Sequence, residues 1–184
     1  AVAARGRRIA CVVMPTIGVA VAIPEPHASY LQERRESFGD PLAHAIPPHV
    51  TLLPPTVVDV ADMDEFEAHL EVVAAAHDCF EIALESTGTF RPVSPVVFVQ
   101  LAQGVAQCEA LETAIRQGPV ARELEFDYHP HVTIAHNISE EELDAAFVDL
   151  DDFSVVFAVP AFHLYHHGAD DVWRPVRAFD LRES

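Results

Sequence analysis

Apolar positions along this chain switch between two periods, and the switches mark its elements. Ile17, Val19, Val21 and Ile23 lie two apart with smaller residues between them, and Pro24 ends the run, so a strand is predicted over 16–23. A helix follows near 27–38, with Gly39 as its C-terminal stop. Pro47-Pro48 and Pro54-Pro55 then fence His49-Val50-Thr51-Leu52-Leu53. Proline donates nothing to a sheet ladder, so this strand must be short or lie at an edge. Met63, Phe66, Leu70 and Val73 recur at helical spacing behind Asp62-x-x-Glu65, which reads as a capping box. Phe80, Ile82 and Leu84 alternate with Glu81, Ala83 and Glu85 as a half-exposed strand, and 96–101 is a buried one.

The second half repeats that order. Val105, Cys108, Leu111 and Ile115 form a helical stripe stopped by Gly118-Pro119, and a strand follows at 131–135. Ser139-x-x-Glu142 opens a helix carrying Leu143, Phe147 and Leu150; strands at 153–158, 161–167 and 172–181 complete the chain. Strands and helices mix without strict βαβ alternation, which predicts an α+β fold of mostly antiparallel sheet with outer helices. The repeat predicts two pseudo-symmetric lobes with a cleft between them.

The polar half of two strands carries the chemistry. Pro-His-Val-Thr occurs at Pro48–Thr51 and again at Pro130–Thr133, its histidines 82 residues apart, with Leu52 or Ile134 next. Side chains two apart share a strand face, so each copy shows a His and a Thr on one side and buries Val and Leu or Ile on the other. A core needs only the apolar half. One His-x-Thr alone would be read as an ordinary strand-end histidine; the matched pair reads as two walls of one site. His49 and His131 can serve as base and acid near neutral pH, and the hydroxyls of Thr51 and Thr133 can hydrogen-bond an anion between them. Such a set suits phosphoester chemistry without a metal. With ordinary imidazole pKa values the activity would follow a bell-shaped curve centred at about pH 6–8.

Two His-x-Thr motifs, one per half of a chain of this size, resemble the two-histidine (2H) phosphoesterases. Within them the chain is similar to the bacterial 2′-5′ RNA ligases, also described as RNA 2′,3′-cyclic phosphodiesterases. The resemblance runs from about Met14 onward and includes 17–20, 46–53, Phe90-Arg91-Pro92-Val93-Ser94-Pro95 and Val172-Trp173-Arg174-Pro175-Val176. It implies the same two-lobed fold over 14–184, His49 as proton donor, His131 as acceptor, and a 2′-phosphate product. Ligation of RNA ends, such as tRNA halves, is the reverse reaction at the same histidines. A module that binds RNA ends or a nucleotide without chemistry is the reading from another class. Relatives often carry arginine three positions after the second Thr; here that position is His136, which either contacts phosphate partly protonated, is a plain surface residue, or leaves Arg91 or Arg174 to compensate. Tyr165 and His163 share a face of a late strand and are further candidates for lining the pocket, with a core aromatic the other reading for Tyr165; Trp173 and Phe90 could stack a base, with core packing the competing use.

Charge narrows the partners. The net charge is −18, and all eleven basic residues are arginine. A grip on long duplex nucleic acid relies on Lys and Arg, so RNA ends or cyclic nucleotides fit better. Acidic clusters at 59–71 and 140–152 fall on predicted helices and read as solvated faces. Cys11, Cys79 and Cys108 are odd in number and far apart, which predicts reduced thiols. No apolar run is long enough to span a bilayer, and 1–13 read as an N-terminal extension, so a cytoplasmic monomer is expected. Zinc is the rival chemistry, through His129-x-His131, His163-x-x-His166 and His167, although no His-Glu-x-x-His or Cys pair at ligand spacing occurs. No cofactor is expected.

Overall fold

Alternation and stripe patterns translate into twelve main elements in a computed structural model that describes residues 14–120 and 122–183. The extension read at 1–13, with Cys11, lies outside the described residues. The first half runs β1 (Thr16–Ala22), α1 (His27–Ser37), β2 (His49–Val57), α2 (Met63–Ala76) and β3 (Phe80–Thr89). It continues through β4 (Val96–Gln103), α3 (Val105–Arg116), β5 (His131–His136) and α4 (Glu140–Asp149) to β6 (Ser154–Val159), β7 (Ala161–His167) and β8 (Trp173–Asp180). The strands form two four-stranded sheets, in the orders β2-β1-β7-β8 and β5-β4-β3-β6. Every pairing in them is antiparallel. This is the α+β class expected from the pattern.

The first helix of each half crosses to the other sheet. α1 leaves β1 and packs on β5, whereas α3 leaves β4 and packs on β2. α2 lies beside α3 and β8, and α4 covers β3, β4 and β5. Leu31 of α1, Phe66 and Leu70 of α2, and Leu111 and Ile115 of α3 are fully buried in one core with Val50, Leu52, Val132 and Ile134. Each such side chain contributes about 1.5–3 kcal/mol by leaving water, so the exchange of helices ties the two sheets together through apolar contact.

Several local expectations meet a different outcome. Asp62 makes no capping bond at α2; a 3₁₀ turn at Val60–Asp62 precedes the helix, and Asp59 caps that turn by accepting from the Ala61 amide. The Ser139–Glu142 capping box forms in full. β2 does not stop at Pro54-Pro55 but runs through both to Val57. It can do so because it is the edge strand of its sheet, where a missing N–H costs no ladder bond. The strand at 96–101 is buried only over Val96–Val99 and extends to Gln103. Gly39 takes the left-handed backbone (φ +80°) that its place after α1 requires.

Candidate active site

Both motif strands are sheet edges, and β2 and β5 lie next to each other, so the two sheets meet at the strands that carry the His-x-Thr segments. The strands carry the same irregularity. Thr51 pairs with Ala20 but Leu53 with Val19, so Leu52 is an extra residue; Thr133 pairs with Phe98 but Ala135 with Val97, so Ile134 is extra. A bulge of this kind breaks the two-residue alternation. Leu52-Leu53 and Ile134-Ala135 are accordingly buried together, and the next residue is again partly open. That residue is Pro54 in one strand and His136 in the other. The bulge thus returns His136 to the face of His131 and Thr133, which strict alternation would have denied it.

The two imidazoles are held alike. His49 Nδ1 lies 2.8 Å from the Pro47 carbonyl, and His131 Nδ1 lies 2.7 Å from the His129 carbonyl. A carbonyl only accepts, so Nδ1 carries the proton in both rings and Nε2 is the nitrogen left for chemistry. Desolvation pushes the His49 pKa down to about 4; its bond to Pro47 opposes the shift, and the charges of Arg35 and His131 add to it. Desolvation also lowers His131, against the bond to the His129 carbonyl, with the His129 charge adding to the lowering. Phe90 meets the His131 ring edge-on at 4.9 Å and Phe98 lies 5.1 Å away, which accounts for that dry setting.

A cavity of about 200 Å³ opens beside the first motif. His49 and Thr51 form its polar side, and Ile46, Pro55, Tyr165 and Trp173 wall it. Gly18 lies in its floor: a Cβ there would come within 3.4 Å of the Trp173 ring and 3.3 Å of the Leu53 carbonyl. Tyr165 is 3 % exposed.

The remaining candidates divide. Tyr165 and Trp173 line the cavity, and Phe90 packs on His131. Arg91 is turned to α4, bonding Glu140 at 2.9 Å and Asp144 at 2.8 Å, and Arg174 is paired with Asp170 at 2.7 Å. Both guanidiniums are thus engaged with carboxylates, Arg174 in a solvent-exposed pair. His163 stands in the cross-strand row of Thr51 and Ala20, with its Nδ1 buried and unpartnered. Among the described residues no three His, Cys, Asp or Glu side chains gather as a metal-ligand cluster. Cys108 is a free, buried thiol pushed up to about 12 by desolvation, and Cys79 is free and partly buried. No helix among the described residues is long and apolar enough to cross a membrane. Two residues near the site gave no signal in the sequence. Arg35, buried and paired with Asp40 at 2.8 Å, is a cation whose charge reaches His49, and Tyr128 donates to the Thr51 carbonyl.

Comparison with known proteins places these features in a family. The 2′-5′ RNA ligase superfamily model matches residues 23–171. The chain belongs to the 2′-5′ RNA ligase superfamily. A Halalkalibacterium halodurans protein provisionally named a phosphoesterase is 29 % identical over 126 residues, spanning 68 % of this chain and 72 % of its own. A similarly named Bacillus cytotoxicus protein is 24 % identical over 144 residues, spanning 77 % and 83 %. The fold matches E. coli LigT complexed with 3′-AMP at a TM-score of 0.65 and 20 % identity, covering 92 % of this chain and 99 % of that one.

Proposed function

We propose that the protein is a metal-independent phosphodiesterase that opens 2′,3′-cyclic phosphates at RNA or nucleotide ends. The observation that carries this reading is the matched pair of imidazoles, each with Nδ1 tied to the carbonyl two residues before it and Nε2 left over. Hydrolysis of a cyclic phosphate is an in-line displacement, which needs a base on one side of phosphorus and an acid on the other. Water attacks as its proton passes to Nε2 of one histidine. The P–O3′ bond breaks as Nε2 of the other protonates the leaving oxygen, giving a 2′-phosphate and a 3′-hydroxyl. The Thr51 and Thr133 hydroxyls hydrogen-bond the non-bridging oxygens, where negative charge grows.

The cavity favours one assignment of roles. The leaving 3′ oxygen belongs to the nucleoside, and a nucleoside seated in the cavity would lie against His49. His49 is then the acid and His131 the base. An acid must be protonated, yet desolvation in the cleft holds His49 near a pKa of about 4. A phosphate anion at ~4 Å contributes about 4 kcal/mol at an effective dielectric of ~20, which exceeds the roughly 3 kcal/mol that lowers His49. Substrate therefore brings the acid back into the neutral range. The imidazoles move the protons and the threonines meet the charge, so no divalent ion is required.

Incubation with 2′,3′-cyclic CMP, followed by ³¹P NMR, tests the reading. It predicts a 2′-phosphomonoester formed at an unchanged rate in EDTA. A 3′-phosphate product, no turnover, or turnover that EDTA abolishes and zinc restores would count against it. Tight binding without turnover would favour the non-catalytic module, and joined tRNA halves in a parallel incubation would favour ligation.

A further inference from the structure

The segment leading into the second motif is fastened to the strand of the first. Arg122 donates to the Pro55 carbonyl and, at 3.1 Å, to the Thr56 hydroxyl. Tyr128 donates its hydroxyl to the Thr51 carbonyl at 2.8 Å. β2 is a sheet edge, so this phenol bonds one of the carbonyls along that edge, at the residue that carries the first motif's threonine. The Tyr128 ring packs against the shared apolar core, and burial raises its pKa, so the hydroxyl stays a donor at every working pH.

The next residue completes a link between the two motifs. His129 offers its carbonyl to His131 Nδ1 at 2.7 Å. From the Thr51 carbonyl the path runs through the phenol to Tyr128, one residue along the backbone, and on to the imidazole of the second motif. We infer that Tyr128 is a positioning residue, whose bond to Thr51 sets His131 in tautomer and distance against the first motif. Its role in turnover rests on the cyclic phosphodiesterase reading; its role in fixing the His131 ring does not.

Tyr128→Phe keeps the ring and removes only the bond. In that variant kcat for 2′,3′-cyclic CMP should fall about tenfold to a hundredfold while KM changes by less than ~threefold, as expected when reacting groups are misplaced by a fraction of an ångström. Imidazole ¹⁵N NMR should show His131 moving from the Nδ1-protonated tautomer of the wild type to a mixture of both. Arg122→Ala removes the neighbouring tie and should leave that tautomer unchanged. A wild-type His131 spectrum in Tyr128→Phe overturns the inference, whatever happens to kcat. So does a tautomer shift of equal size in Arg122→Ala, which would indicate general loosening of the segment. Should the wild type hydrolyse no cyclic phosphate, the functional reading fails while the NMR comparison still decides the role of Tyr128.

Discussion

Replacing His49 by asparagine should remove part of the protein's sensitivity to acid. The folded cleft keeps His49 neutral by desolvation and lowers its pKa from 6.5 to about 4. The unfolded chain has no such cleft. Between those two values it binds a proton that the folded chain does not, so stability falls as pH drops through that window. At about 1.4 kcal/mol per pH unit, His49 costs about 2 kcal/mol of stability by pH 5 and about 3 kcal/mol below pH 4. Solvent entering the cleft makes these upper values. His131 and His163 are lowered as well and act in the same direction, so a single pH series does not isolate His49. The difference between wild type and His49→Asn does, because the other groups cancel. Urea unfolding of both proteins at pH 7.5 and pH 5 is the assay. The wild type should lose up to about 2 kcal/mol more than the variant over that interval. If the two lose the same amount within about 0.5 kcal/mol, His49 titrates as a solvated imidazole and the desolvated-cleft argument is wrong.

Two other outcomes follow from the same geometry. Because kcat/KM reports the free enzyme, its maximum should lie on the acid side of 6.5, between about 4 and the lowered value of His131, while kcat peaks nearer neutrality once phosphate raises both groups; a kcat/KM profile centred at pH 7–8 would contradict this. Trp173→Ala should lower kcat/KM for 2′,3′-cyclic CMP about tenfold or more, in line with base–aromatic stacking, and leave an abasic ribose 2′,3′-cyclic phosphate nearly unaffected; equal losses on both would place the nucleoside elsewhere.

Much of the scaffold was legible because its signals are local. Two-residue alternation marked β1 and β3, the Ser139–Glu142 box marked the start of α4, and the duplicated Pro-His-Val-Thr marked both motif strands. What escaped is set by residues far apart in the chain. That β7 and β8 return to β1, and that α1 and α3 exchange sheets, depends on which faces meet, and composition does not record that. The bulges after Thr51 and Thr133 become visible only against partner strands, so the side on which His136 falls could not be read from spacing. Arg91 is available for phosphate only while Glu140 and Asp144 are taken as part of a solvated acidic face; folding sets both against its guanidinium, and Asp170, which stood out in no pattern, against that of Arg174. Arg35 sits on a helix with almost no apolar stripe, and nothing in its neighbourhood announced a buried cation near His49.

The most direct test is turnover of a 2′,3′-cyclic nucleotide by His49→Ala, His131→Ala and the double variant, each checked for folding by circular dichroism. Paired acid–base catalysis predicts that either single change removes about 10²–10⁴-fold of kcat, and that the double variant is little worse than the singles because the two groups act as a unit. Near-normal turnover in both single variants, alongside an active wild type, would show that these two imidazoles do not carry the reaction.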